Sequence, residues 1–133
     1  GVTINPNKIS YYDILRTGPN IFLDNPTQVD MGGQGWFMKT ELLYHFLNET
    51  IVDESTGEDL HFSFCLANQN IPIMILDKDK NDRDTWQDLT LGRRGGDEFA
   101  QKGTNPTHHK VRDELLKVYA QKGWKFKNKS SLI

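Results

Sequence analysis

The residues best equipped for chemistry lie between Asp77 and Asp84, where Asp77, Asp79, Asn81 and Asp84 crowd an eight-residue stretch. Oxygen ligands at alternate positions suit a hard cation, and Asp77, Asp79 and Asn81 match positions 1, 3 and 5 of a calcium loop. The match then breaks, because Asp82 stands where the sharp turn needs Gly and Asp88 stands where the bidentate Glu belongs. Lys78, Lys80 and Arg83 also oppose a dication. His108 and His109 could complete a Mg²⁺ or Ca²⁺ site at Asp77 and Asp79, but neighbouring positions on a helix point about 100° apart and do not converge as an i, i+4 pair does. A metal-dependent nuclease or phosphohydrolase is therefore the alternative reading, and a solvated loop of alternating charge is the leading one.

The second constellation is basic. Lys110, Arg112, Lys117, Lys122, Lys125, Lys127 and Lys129 are interleaved with Tyr119, Trp124 and Phe126, and Arg93 and Arg94 sit in a glycine-rich stretch. From residue 102 onward eight Lys or Arg face two acids; the preceding 101 residues carry eight against sixteen, for a net charge of -2. Segregation of this size marks a face for an anionic partner. Cations beside aromatics suit phosphates and bases, whereas an isoelectric point near 6.1 lacks the general basicity of a dedicated nucleic-acid binder. Arg93, Arg94, Lys110, Arg112, Lys117, Trp124, Lys125 and Lys127 are the expected binding residues. The leading expectation is a non-enzymatic binding or assembly module with no cofactor. Its partner is an acidic protein surface, nucleic acid or a second copy.

Other candidates resolve to structure. Met31-Gly-Gly-Gln-Gly-Trp36 lacks the spacing of either phosphate-cradling motif and reads as a turn. Cys65, the one cysteine, forbids an internal disulfide and reads as a buried inert thiol. His45 and His61 stand in apolar surroundings. Asn48-Glu-Thr50 and Asn128-Lys-Ser130 form glycosylation tripeptides, which have meaning only in a secreted eukaryotic chain. The start at Gly1 reads as a processed or trimmed product.

The elements that must position these residues follow from pattern. With 133 residues and 36% hydrophobic content, the chain is expected to form one soluble domain over 1–133, with no apolar run near the ~20 residues of a membrane span. Residues 1–7 read as an irregular arm, Lys8–Arg16 as a helix stopped by Gly18-Pro19, and Ile21–Leu23 as a short strand. The span 39–47 fits helix or strand. Residues 48–53 and 60–66 read as strands of a hairpin turning at Ser55-Thr56-Gly57. Residues 71–76 read as a strand buried on both faces, with Pro72 at its start or on an edge. Further strands are expected at 85–91 and 124–127, and a mobile Gly/Arg loop at 92–104. The stripe Val111, Leu115, Val118, Tyr119, with Pro106 before it and Gly123 after it, predicts an amphipathic helix over 106–122. The expected fold is α+β, a mainly antiparallel sheet with that helix packed across it.

Overall fold

A computed structural model describes residues 1–17, 22–33, 36–77 and 106–127. The described elements run β1 (Val2–Ile4), β2 (Ile14–Arg16), β3 (Thr27–Val29), a 3-10 turn (Thr40–Leu42), α1 (Leu43–Asn48), α2 (Glu58–Asn68), β4 (Ile73–Ile75) and α3 (His108–Gln121). The α+β class holds: β1 pairs antiparallel with β2, and β3 pairs antiparallel with β4. A bridge from Val2 to Met31 links the two small sheets.

The centre of the fold is α2, where a strand was expected at 60–66. Leu60, Phe62, Phe64 and Leu66 alternate like a strand only because the helix is buried on both sides. Leu60 and Phe64, one turn apart, face the larger core of Ile4, Tyr11, Leu116, Tyr119 and Trp124. Phe62 and Leu66, also one turn apart, face a smaller core of Val29 and Ile73, flanked by Trp36, Leu42 and Phe46. Two i, i+4 pairs on opposite faces imitate period two when read in line. Gly57 does adopt the left-handed conformation expected of it (φ 85°), but it opens α2 rather than turning a hairpin. Its carbonyl accepts the His61 N–H at 2.9 Å, and a side chain there would meet Leu115 Cδ1 at 2.7 Å.

Residues 48–53 are likewise not a strand. Asn48 ends α1, whose Phe46 packs on the smaller core one turn after Leu42 of the preceding 3-10 turn. Beyond it Asp53 caps its own turn, accepting from the Ser55 N–H and hydroxyl. Residues 1–7 contain β1, fully buried, rather than an irregular arm. The predicted helix at 8–16 is replaced at its end by β2, because Ile14–Arg16 complete the sheet edge that β1 needs. Phe22 lies in no strand, Leu23 makes an isolated β-bridge, and Ile21 lies outside the described residues.

Within 71–76 the strand is Ile73–Ile75, with Pro72 just before it as expected. Ile73 is buried and Met74 exposed, so one face is covered rather than both. Residues 85–91 and 92–104 lie outside the described residues.

The C-terminal helix matches its sequence signals closely. Leu115, Leu116 and Tyr119 are buried, and Gly123 takes φ 99° at its end. Gly123 N–H donates to the Ala120 carbonyl at 3.0 Å and Trp124 N–H to the Tyr119 carbonyl at 3.1 Å. This paired reversal satisfies the last carbonyls and folds Trp124 back onto the core. That fold-back is why 124–127 is not a strand. Trp124 is buried against Phe64 and Tyr119, and Lys127 N–H donates to Asp30.

Candidate functional site

The N-terminal end of α3 holds a polar cluster that long-range contacts assemble. Arg112, only 6% exposed, is clamped by Asp59 of α2: one guanidinium nitrogen lies 2.7 Å from both carboxylate oxygens. The Tyr11 ring lies 4.8 Å from the guanidinium carbon and Met31 Sδ 3.7 Å from the same nitrogen. Burial alone would lower the Arg112 pKa, but Asp59 and Tyr11 outweigh it and hold it above the usual value. His109 packs between Tyr11 and Tyr12. His108, beside it, is pushed below the ordinary imidazole range by burial, then by Arg112 and His109, so it is neutral at pH 7.

Asp113, the next residue, ties the N-terminal segment down. It accepts from Ser10 Oγ and Tyr11 N–H, both at 2.7 Å, and pairs with Lys117. Burial raises its pKa, yet these donors together hold it below the usual carboxylate value. Asp30 is the opposite case. It accepts from Ile4 N–H at 2.7 Å and from Lys127 N–H, yet burial dominates and its pKa is raised.

A third polar group lies inside the core. His61 Nδ1 is 3.0 Å from Tyr119 Oη, and His61 Nε2 is 3.3 Å from the Phe46 carbonyl. The carbonyl can only accept, so Nε2 carries the proton, Nδ1 accepts from the Tyr119 hydroxyl, and Val52 N–H completes the chain at 3.5 Å. Cys65, 3.6 Å from His61, is buried, and burial followed by Glu49 raises its thiol to about 11. It stays protonated at neutral pH and is no nucleophile.

The expected binding residues divide. Arg112 and Trp124 are core residues. Lys110 is exposed and 4.0 Å from Glu114, and Lys117 is held by Asp113, so neighbouring acids partly neutralise the outer face of α3. Arg93 and Arg94 lie outside the described residues. The structure does bring Trp124, Lys125 and Lys127 to one place. With Phe126 they line a cleft of about 170 Å³ together with Gln28, Val29, Asp30, Ala67, Asn70, Ile71, Pro72 and Ile73. Trp124 Nε1 is buried and has no hydrogen-bond partner among the described residues.

Of the expected metal ligands, Asp77 is exposed just beyond β4, His108 and His109 are half-buried at the start of α3, and Asp79, Asn81 and Asp84 lie outside the described residues. Among the described residues no three His, Cys, Asp or Glu side chains are grouped to hold a metal, and no helix is long and apolar enough to cross a membrane. Asp30, Asp59 and Asp113 escaped sequence reasoning. An acid in the first turn of a helix is a recognisable signal for Asp59 once α2 is known to be a helix, but no local pattern marks the other two. No protein-family model, curated protein or solved structure matches this chain.

Proposed function

We propose that the chain is a non-enzymatic binding module, and that the segment following α3 holds an acidic stretch of a partner protein. The supporting observation is the cleft lined by Lys125, Phe126 and Lys127 together with Ile71 and Pro72. Its volume corresponds to about six water molecules, enough for one or two side chains of an extended peptide. Two lysines beside Ile71, Pro72 and Phe126 suit a Glu or Asp side chain flanked by an apolar residue, and Asp30, the acid in the lining, is already engaged by the Ile4 and Lys127 N–H groups. A peptide is favoured over nucleic acid because Trp124 is only 4% exposed and offers no open ring face on which a base could stack.

The test is a ¹H–¹⁵N NMR titration with a glutamate-rich peptide and, in parallel, a single-stranded oligothymidylate. The reading requires amide shifts at 124–127 and 70–73 with the peptide, weaker at high salt. Stronger shifts with the oligonucleotide would transfer the site to nucleic acid, and silence in both at about 1 mM ligand would remove it. Calorimetric binding of Mg²⁺ or Ca²⁺ that Asp77→Asn abolishes would instead favour the metal-dependent phosphohydrolase.

A further inference from the structure

The segment Trp36–Glu49 is apolar on both sides, which a surface helix is not. Leu42 and Phe46 point into the smaller core. At 100° per residue, Leu43, Leu47 and Tyr44 fall on an arc running away from that contact. They are 42%, 75% and 68% exposed, and Phe37 and Met38 just before them are exposed as well. At an average exposure of about two-thirds and roughly 200 Å² per side chain, these five present on the order of 650 Å² of apolar surface. That is comparable with the top of the roughly 300–600 Å² range of the largest patch on an ordinary monomer.

We propose that this face is a twofold interface between two copies of the chain. Fully covered, two such faces bury about 1,300 Å², at the lower end of the roughly 1,200–2,000 Å² of a stable protein–protein interface. Charge placement supports an antiparallel twofold. Exposed Lys39 stands at the start of the segment and exposed Glu49 at its end, and neither makes a salt bridge within the described residues. Antiparallel packing sets Lys39 of each copy beside Glu49 of the other, twice by symmetry. The exposed hydrophobic residues then meet across the axis, and the two short helices lie with opposed dipoles. This surface and the Lys125–Lys127 cleft rest on different observations, and either can fail without the other.

Sedimentation velocity over a micromolar concentration series tests the proposal. The wild-type chain is expected to dimerise. Leu47→Lys, at a position contributing nothing to the core, is expected to weaken the dimer about a hundredfold, since each interface loses the residue twice. Lys39→Glu and Glu49→Lys should each weaken it, and the double swap should restore it. A monomeric wild type at every concentration would overturn the proposal. So would a dimer indifferent to Leu47→Lys, or charge swaps that add rather than compensate. A monomer that binds a hydrophobic dye through this face, with binding lost in Leu47→Lys, would mean that another protein covers it.

Discussion

Replacing Asp59 by Asn and Arg112 by Met, one at a time, should give unequal losses of stability. The two side chains form one contact but are buried to different extents, the arginine 6% exposed and the aspartate 19%. In Asp59→Asn the guanidinium stays enclosed by Tyr11 and Met31 with no countercharge. Stranding a buried charge in this way costs about 3–5 kcal/mol. The amide oxygen still accepts one bond, so the lower end, about 3 kcal/mol, is expected. In Arg112→Met the thioether refills much of the space between Tyr11 and Met31. The Asp59 carboxylate is left partly in water at the first turn of α2, where the helix dipole favours it. About 1–2 kcal/mol is expected there. Urea unfolding followed by circular dichroism measures both, and an unchanged denaturant slope shows that the difference lies in stability rather than compactness. The double variant should resemble Arg112→Met alone, because no stranded charge remains. Equal losses, or a larger loss from Arg112→Met, would refute the assignment of Arg112 as the dependent partner.

Asp113 makes acid sensitivity predictable. Its folded pKa lies below the unfolded value, so its contribution is present above about pH 4 and is lost as pH falls through the folded value; Asp113→Asn should flatten that acid limb and loosen Ser10 and Tyr11, visible in amide exchange. Gly123 has positive φ and open space where a Cβ would go, so Gly123→Ala should cost about 1–2 kcal/mol from backbone strain alone, measurable as a lowered melting temperature. Gly32→Ala differs, because the new Cβ would run into the Trp36 ring; it should displace Trp36 and change near-ultraviolet dichroism. Cys65, buried and protonated at neutral pH, should react with a thiol reagent only as fast as the fold opens, so added urea should accelerate labelling in step with unfolding.

What could be read in line was what depends on near neighbours. Helix α3 was legible because it buries one face, so Leu115 and Tyr119 recur at the helical period, and because Gly123 is a local stop. The start of β4 was legible for the same reason, since Pro72 cannot enter a ladder. Helix α2 was not, because burial on both faces removes the polar residues that reveal a period. β1 is three residues long, too short for any period, and its burial comes from α2 and α3. The candidate cleft was legible in part. Trp124, Lys125 and Lys127 were singled out, but the Gly123 reversal turns Trp124 inward and leaves the lysines at the rim. Arg112, chosen with them for its charge, is a core residue because Asp59, 53 positions earlier, reaches it through the packing of α2 on α3. Asp113 meets Ser10 across 103 positions, and no spacing rule covers that distance.

The most direct measurement of the binding proposal is fluorescence anisotropy of a labelled glutamate-rich peptide titrated with wild-type chain and with Lys125→Glu/Lys127→Glu. Both positions follow the helix stop and neither side chain enters the core, but the Lys127 charge offsets the buried Asp30 carboxylate, so the double variant should fold with a somewhat lowered melting temperature. The account predicts saturable binding that weakens with salt and falls at least about tenfold in the variant. Equal binding by the two proteins would contradict it.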